Sequence, residues 1–537
     1  MRAVKTTFLV LLLCVVSWVP ATAQSGRQVP PEADIIVAIT EIIQSQDRLP
    51  LPLERIRPAL AAHYLRDGAR VFWVGTGRMT PFLQRLADAA DDGLNPADYP
   101  IDALIDLRDS LEPDDAETAA ATELYFAAFL VSYATDLKIG RTTPQKVDPR
   151  LFRNRRTVDV LRILNDLAAS GDPIAFLAGF ESQNPHYQAL KRMLVLYRAM
   201  AESVEWPAIP AGDNIEPGGK DPRVRQIRER LILTGDHPGG VEGDVYDAST
   251  ALAMKSFQTR HGLEAKGLIG KQTILALNVP PAERARQIML NMERWRWMPE
   301  NLGEHHFMVN LAAFDMREIE NDDLVDRMDV VVGAVATQTP EFSDDLEYVE
   351  INPTWTVPYS IATKEMLPKL RRNPYAYSGD FEIFANGKLS SWGGIDWNAY
   401  GPGKFPFTFR QKPGPKNALG KVKFMLPNPH NIYLHDTPAK DKFLATTRAF
   451  SHGCIRLSRP MDLAYRLVGE IAGWPKPRID AAFASGKTTR VSLPQLIPVH
   501  LVYATAFEGD GGTLEFRPDI YGRDRKLDAA LAGRPSS

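Results

Sequence analysis

The hydrophobic periodicity of the chain changes near residue 305, and this change constrains the fold more than any other feature. Before it, apolar residues recur at helical spacing, as at residues 123–137, whereas short apolar runs separated by turn residues follow it. Residues 205–222 are rich in Pro and Gly, a composition typical of a linker. At 537 residues the chain is too long for one core. We therefore predict a multidomain α+β protein, helical in its first half and mainly β in its second.

The N-terminal residues are typical of a secretory signal. A basic start is followed by an apolar run at residues 8–19, which is short for a membrane span, and by the cleavage pattern Ala21-Thr22-Ala23. We expect cleavage before Gln24, with an uncleaved anchor as the alternative. The protein is therefore predicted to be exported, to the periplasm in a bacterium with two membranes. Only an uncleaved signal would hold it near a membrane.

The charge balance of the chain argues against a nucleic-acid partner. The formal net charge is −3, from 63 basic and 66 acidic residues. A surface that binds DNA or RNA needs clustered Lys and Arg without this compensation. We therefore predict no nucleic-acid binding, and we expect the protein to be a monomer.

Residues 222–280 predict a compact unit of three short helices. Apolar residues share one face in each of the first two helices: Val224, Ile227 and Leu231, then Ala253, Met254 and Phe257. Gly262 is placed to end the second helix in a left-handed conformation. The pattern that includes His261-Gly262-Leu263 resembles the peptidoglycan-binding type 1 module. The resemblance leaves open whether this copy binds glycan or only separates its neighbouring domains.

The chain after residue 305 predicts a mainly β domain with an irregular insertion. Strands are predicted at residues 307–311, 330–332, 348–351, 422–426 and 432–435. Between about residues 360 and 415 the strand pattern is weak, and only a short helix is predicted, at residues 363–370. Long irregular stretches inside a domain are typical of lids or binding loops. We therefore expect residues 360–415 to cap a site.

Cys454 is the residue with the clearest chemical meaning. The chain has two cysteines, and Cys14 lies in the predicted signal, so the mature protein would carry a single thiol. A lone cysteine in an exported protein is either a reactive group or a small apolar filler. Because a free thiol is mostly protonated at neutral pH, catalysis needs a base within hydrogen-bond reach.

Two histidines are candidates for that base. His435 ends a predicted strand on the same face as Tyr433, and His452 precedes Cys454 by two residues. Gly453 permits positive φ or close approach, and the amides of Gly453 and Cys454 are candidates for an oxyanion hole. Taken singly, each of these residues is better explained as structural. One cysteine with two histidines matches none of the familiar zinc spacings, so no metal is predicted.

These residues together resemble a known catalytic signature, that of the YkuD-type L,D-transpeptidases. Two runs carry the resemblance: His435-Asp436-Thr437 and Ser451-His452-Gly453-Cys454-Ile455-Arg456. The whole chain resembles the long YcbB-like subgroup, which implies the following division: signal peptide 1–23, helical scaffold domain 24–205, linker 206–221, peptidoglycan-binding module 222–280, connecting helix 281–304, catalytic domain 305–505 with its capping insertion at about 360–415, and C-terminal tail 506–537.

The resemblance also implies a role for each matched residue. Cys454 would be the nucleophile and His435 its base, with the backbone carbonyl of Asp436 orienting the imidazole. His452 would support the nucleophile loop. The implied donor-binding residues are Tyr433 and Trp355, which would line the pocket, and Arg456, which would fix the site or meet a substrate carboxylate.

The implied reaction has two steps and needs no metal or organic cofactor. Cys454 attacks the carbonyl between the third and fourth residues of a peptidoglycan stem tetrapeptide and D-Ala leaves. The side-chain amine of a second stem then takes the acyl group, which gives a 3→3 crosslink. Carbapenems are expected to acylate the same thiol. Lipoprotein anchoring and D-amino acid exchange use the same acyl-enzyme and remain open, as does a non-catalytic peptidoglycan-binding protein.

Overall fold

The computed structural model describes residues 28–46, 49–240 and 242–533, without the side chain of residue 510. The predicted signal peptide, with Cys14 and the cleavage pattern before Gln24, lies outside these residues. Within the described ranges, no helix combines the length and the apolar character that crossing a bilayer requires.

The N-terminal region is helical, as predicted. Its helices are α1 (Glu32–Gln44), α2 (Leu51–Tyr64), α3 (Met79–Ala87), α4 (Ile101–Asp109), α5 (Ala116–Ile139), α6 (Pro144–Val147), α7 (Val160–Ser170), α8 (Pro173–Ala178) and α9 (Pro185–Ser203). Helix α5 is buried on most of its surface and packs against α1, α2, α4 and α7. Its buried Glu123 accepts backbone N–H groups of Phe72, Trp73 and Val74 at 2.7–3.0 Å. These bonds satisfy a carboxyl whose pKa burial raises, so Glu123 has a structural role.

The three-helix module is also present as predicted. It contains α10 (Arg223–Leu233), α11 (Ala248–Arg260) and α12 (Lys271–Leu277). The side chain of Asp247 caps α11 by accepting the backbone N–H of Thr250 at 2.9 Å. Gly262 follows α11 with a φ of +64°. Helix α13 (Pro281–Arg296) then leads from the module into the C-terminal region and packs against α9.

The C-terminal region is mainly β. Its strands are β1 (His305–Asn310), β2 (Asp315–Glu320), β3 (Asp323–Gly333), β4 (Phe342–Ile351), β5 (Trp355–Thr356), β6 (Phe381–Ala385), β7 (Lys388–Ser390), β8 (Phe407–Gln411), β9 (Val422–Met425), β10 (Leu434–His435), β11 (Ala449–Ser451), β12 (Ile455–Leu457), β13 (Thr489–Val502), β14 (Ala506–Glu508) and β15 (Leu514–Phe516). Its helices are α14 (Tyr359–Ile361), α15 (Leu367–Arg372), α16 (Pro460–Tyr465), α17 (Lys476–Ala484) and α18 (Arg523–Ala532).

Nine strands form the main sheet, in the order β11-β3-β12-β10-β9-β4-β13-β1-β2. Strand β2 also pairs with β3, so the sheet closes on itself into a barrel that encloses an apolar core. Most neighbours are antiparallel, but three pairs are parallel: β1 with β13, β3 with β11, and β10 with β12. Because parallel strands need a crossover connection, the chain between β10 and β12 leaves the sheet and first rejoins it as β11, which pairs with β3.

The capping insertion is more ordered than its weak strand pattern indicates. Strands β5, β8, β6 and β7 form a four-stranded antiparallel sheet, and a π-helical turn, Ala362–Met366, joins α14 to α15. Trp397 is buried against Phe405, Phe407 and Phe409, with ring centroids 5.2–6.5 Å apart. The strands are short and separated by long turns, so their stability comes from this aromatic core. We refer to residues 355–411 as the cap.

The C-terminal residues differ from the predicted tail. Residues 506–516 form the β14–β15 hairpin, and α18 follows it. Phe516 is buried with residues of α9 and α13, and the buried Arg523 pairs with Glu341 at 2.7 Å. This segment is therefore part of the folded body up to residue 533.

Candidate active site

The parallel pairing of β10 and β12 places the predicted catalytic residues. Leu434 pairs with Ile455 and His435 with Arg456, and the Ile455 N–H donates to the carbonyl of Tyr433 at 3.1 Å. Cys454 therefore enters β12 beside Tyr433, and His435 lies one pleat further along the same face. Such diagonal neighbours are within reach of long side chains.

The loop before Cys454 is held by hydroxyl groups. Ser451 Oγ donates to the Cys454 carbonyl at 2.5 Å and accepts the Gly453 N–H at 3.0 Å. Thr337 donates to the Ser451 carbonyl at 2.8 Å, and Thr339 donates to the Gly453 carbonyl at 2.7 Å. Sequence reasoning missed these three hydroxyls. Ser451 stood within the quoted motif, but the threonines come from the segment between β3 and β4, more than 100 residues earlier in the chain.

Gly453 has the positive φ that the sequence analysis anticipated, +119°. A Cβ at this position would lie 3.3 Å from the Ile432 side chain. The Gly453 amide is already bonded to Ser451, however, so it is not available to an oxyanion. Within the described residues, the Cys454 amide has no hydrogen-bond partner and remains the candidate donor of the predicted pair.

His435 is buried, and one of its ring nitrogens is engaged. Nδ1 lies 2.5 Å from the backbone carbonyl of Asp436, the contact implied by the family resemblance. Nδ1 must therefore carry the proton, which leaves Nε2 as the basic nitrogen. Burial, assisted by the nearby Arg456 guanidinium, lowers the pKa of His435 to about 3. The imidazole is neutral at physiological pH, as a general base requires.

The Asp436 carboxylate braces the turn that holds His435. It accepts the N–H groups of Lys421 at 2.8 Å and Thr437 at 2.7 Å, and it pairs with the Lys440 ammonium at 2.7 Å. Gly420 packs directly against this carboxylate, and a Cβ at residue 420 would collide with it. The side chain of Asp436 is therefore structural, while its carbonyl contacts the imidazole.

Replacing Asp436 with Ala should lower the free energy of unfolding by about 2–3 kcal/mol, because the buried amide of Thr437 and the partly buried amide of Lys421 lose their acceptor. Activity should also fall, since the turn that orients His435 loosens. Urea unfolding followed by fluorescence measures the change. Asp436→Asn is the matched control, because it retains one carbonyl oxygen and should lose less. Equal stability of the Ala variant and the wild type would contradict this role.

Cys454 is half-buried and lies beside Tyr433. Its Sγ contacts the carbonyl of Asn431 at 3.5 Å, and within the described chain no hydrogen bond joins it to His435. Burial raises the pKa of the thiol, while Tyr433 and the charges of Lys423 and Arg456 oppose the rise. The resting site therefore contains a neutral thiol and a neutral imidazole on one face of the sheet.

Six of the eight predicted residues line one cavity of about 800 Å³, and Asp436 and Gly453 do not. Its lining includes Cys454, His435, Tyr433, Arg456 and Trp355. Trp355 belongs to β5, the first strand of the cap sheet, so the cavity lies between the barrel and the cap. A cavity of this size accommodates a short peptide segment. Within the described residues, no group of three or more His, Cys, Asp or Glu side chains is placed to hold a metal ion.

His452, which the resemblance implies as a support of the loop, contacts the cap. Its Nε2 lies 2.7 Å from the carboxylate of Glu365, and both side chains are about half exposed. Glu365 belongs to the cap and lines the same cavity. His452 therefore connects the loop before Cys454 to the cap, while Ser451 forms hydrogen bonds within the loop.

Three family models match separate parts of the chain. Residues 58–194 match the "Scaffold domain", residues 220–277 match the "Putative peptidoglycan binding domain", and residues 304–471 match the "L,D-transpeptidase catalytic domain" of the YkuD family. The last match contains every residue of the predicted site. The three matches follow one another in the order that the sequence analysis expected.

A Haemophilus influenzae protein named "Putative L,D-transpeptidase" is 33% identical over 267 residues, which are 48% of this chain. The chain spans about half of that relative, 53% of its length. Solved L,D-transpeptidases from Xylanimonas cellulosilytica and Stackebrandtia nassauensis are 14% and 13% identical, each over 55% of this chain and 99% and 97% of their own. Their TM-scores, 0.18 and 0.23, are too low to support an argument. On the family matches, the chain carries a YkuD-type L,D-transpeptidase catalytic domain, joined to a peptidoglycan-binding domain and a scaffold domain.

Proposed function

We propose that the protein is an L,D-transpeptidase that forms 3→3 crosslinks in peptidoglycan through a thioester on Cys454. The observation that carries the proposal is the placement of this thiol and the neutral His435 imidazole on one face of a capped cavity. A pure peptidoglycan-binding protein would need neither group. The family matches to a catalytic and a peptidoglycan-binding domain support a substrate in the cell wall.

The first step transfers the donor stem to the enzyme. Sγ of Cys454 attacks the carbonyl carbon between the third and fourth stem residues, and Nε2 of His435 accepts the thiol proton. The oxyanion is stabilised by the Cys454 amide. When the C–N bond breaks, His435 returns the proton to the nitrogen of the leaving D-Ala. A thioester and a free amino acid result, with a neutral imidazole restored.

The second step transfers the acyl group to an acceptor. The side-chain amine of another stem attacks the thioester carbonyl, and His435 accepts a proton from that amine. The C–S bond then breaks, and the proton passes to the departing sulfur. The products are a new amide between two third residues and the free thiol. Water competes with the amine at this step, so a cavity that excludes water favours crosslinking over hydrolysis.

Replacing Glu365 with Ala should raise hydrolysis relative to transfer by about 1.4- to fivefold, because an exposed contact of this kind contributes about 0.2–1 kcal/mol. Loss of the contact with His452 frees the cap to admit water. The ratio of hydrolysed tripeptide to crosslinked dimer measures the effect. Glu382→Ala, which removes a carboxylate elsewhere in the cap, is the control. An unchanged ratio in the Glu365 variant would show that the cap does not affect the choice between water and the acceptor amine.

Export to the periplasm is part of the proposal, because the acceptor and donor stems lie in the wall. The domains that act on peptidoglycan support a location at the cell wall. The predicted signal peptide supports export, but its residues lie outside the described structure. A tagged protein recovered from the periplasmic fraction, cleaved before Gln24, is the expected result. Recovery of uncleaved protein with the membrane fraction would favour the anchor instead.

The function is tested with the purified chain and disaccharide-tetrapeptide. We expect dimers linked 3→3, identified by mass spectrometry of muropeptides, with one D-Ala released for each crosslink. A thioester adduct on Cys454 should appear when the acceptor amine is blocked. Absence of both dimers and the adduct, with the protein folded, would contradict the proposal. Release of D-Ala without dimers would favour another acceptor, as in lipoprotein anchoring.

A further inference from the structure

Four ionisable residues lie side by side across the floor of the cavity. The strand register pairs Arg456 with His435, His435 with Lys423, and Lys423 with Glu350. Residues directly opposite one another share a face of a sheet, and all four line the cavity that contains Cys454. The candidate base therefore lies between two cations. Sequence reasoning named Arg456 but not Lys423, which only the strand register brings to the site.

Neither cation has a hydrogen-bond or ion-pair partner among the described residues. The Lys423 ammonium lies 4.2 Å from the centroid of the Tyr433 ring, a cation–π contact, and among the described residues it forms no ion pair with Glu350. Nε of Arg456 is buried without a partner. Both side chains are half-buried. Partly desolvated charges are costly unless paired, so two in one cavity indicate an anionic ligand.

We propose that Lys423 joins Arg456, for which the family resemblance already implies contact with a substrate carboxylate, in a carboxylate-binding site that fixes the donor stem with its scissile carbonyl at Cys454. This inference rests on the proposed function for the identity of the ligand. A stem tetrapeptide has two carboxylates near the scissile bond, the terminal one of the fourth residue and the side-chain one of a diaminopimelate third residue. Arg456 offers a planar pair of donors that suits a carboxylate, and Lys423 adds a point charge.

Occupation of this site has a consequence for the base. Burial is the main cause of the low pKa of His435, and Arg456 and Lys423 lower it further. A bound carboxylate would compensate the two positive charges and raise the basicity of the imidazole. The base would then strengthen when a donor is present, which favours proton transfer from the thiol in the complex over the free enzyme.

Alkylation of Cys454 tests the site without any assumption about turnover. Iodoacetate carries a carboxylate and iodoacetamide does not, so the ratio of their rates at this thiol reports anion recognition. Because the full chain also contains Cys14, peptide mass spectrometry is used to measure modification of each cysteine separately. We expect the wild-type ratio to exceed that of free cysteine by about tenfold, and to fall in high salt.

Variants assign this preference to the two cations. Lys423→Met and Arg456→Met should each lower the ratio at least about threefold, whereas Lys423→Arg should retain it. Lys416→Met removes an exposed charge of the same region and is the matched control. A wild-type ratio equal to that of free cysteine would overturn the inference. So would a ratio unchanged in both Met variants. If Lys423→Arg retains the rate ratio, the loss in Lys423→Met is due to the missing charge and not to a change of fold.

Amidated donors identify which carboxylate is bound. Acylation of Cys454 is measured with the unmodified tetrapeptide, with its C-terminal amide and with its side-chain amide. Lys423→Met should lower the rate with the unmodified donor at least about tenfold, and should have little further effect on the donor that already lacks the bound carboxylate. Equal losses with all three donors would overturn the inference. If the wild type is acylated by none of them while the iodoacetate preference persists, the proposed function fails and the anion site stands.

Discussion

Cys454→Ser should lose at least about 10³-fold in donor acylation, because a serine hydroxyl in this site is far less acidic and less nucleophilic than the thiol. The fold should not change. The sulfur is half-buried, and its contact with Asn431 at 3.5 Å is weak, so little packing is lost when oxygen replaces it. The melting temperature should stay close to that of the wild type.

The measurement combines D-Ala release with intact-protein mass spectrometry. Wild type incubated with a carbapenem should gain the mass of one inhibitor molecule, and Cys454→Ser should gain none. Cys14→Ser is the control, since it removes the other thiol of the full chain and should keep both the adduct and the activity. Turnover by Cys454→Ser within tenfold of the wild type would refute the assignment of the nucleophile. Normal adduct formation by that variant would refute it as well.

The division of the chain into helical and β regions was predictable because it depends on local patterns. Helical spacing of apolar residues identified the three-helix module, and the cap of α11 by Asp247 follows from a local hydrogen bond. Each predicted strand overlaps an observed one, and residues 330–332 and 348–351 lie entirely within β3 and β4. These features arise from interactions between residues close in sequence, and such interactions can be predicted from sequence patterns.

The cap sheet was not predicted, although one of its strands has the alternating pattern of buried and exposed residues that is typical of a strand. In β8, buried Phe407 and Phe409 alternate with exposed Thr408 and Arg410. This is the period-two pattern of a strand. It covers five residues among many glycines, and its stability depends on Trp397, which lies in another segment. The strand pattern in the sequence is therefore weak because tertiary packing, more than local sequence, stabilises this sheet.

The individual residues of the candidate site could be predicted from the sequence, but their positions relative to one another could not. Cys454 and His435 could be named from residue chemistry and the motif, yet the register that places Tyr433 beside Cys454 depends on pairing between distant strands. The same is true of Lys423 and of the Glu365 contact with His452. Closure of the barrel brings these residues together, and closure is a non-local event.

His435→Ala should lower acylation at least about 10²-fold at pH 7, the lower range for loss of a general base. The pH profile is the more discriminating result. The pKa of His435 is lowered to about 3, so the neutral base is present throughout pH 5–8 and is lost only as the pH falls toward 3. Because burial raises the pKa of the thiol, the wild-type thiol also stays protonated in that range. The second-order rate constant of wild-type acylation at low donor concentration, which reports the free enzyme, should therefore be nearly flat between pH 5 and 8.

Without the base, only thiol molecules that have already ionised can attack the donor. Acylation of His435→Ala should then rise about tenfold per pH unit until the thiol titrates, because the thiolate fraction does so. A variant that had merely lost structure would be slow without acquiring this slope. His435→Gln keeps a donor for the Asp436 carbonyl but supplies no base, so it should show the same slope. A loss of less than threefold in His435→Ala, combined with a large loss in His452→Ala, would transfer the role to His452.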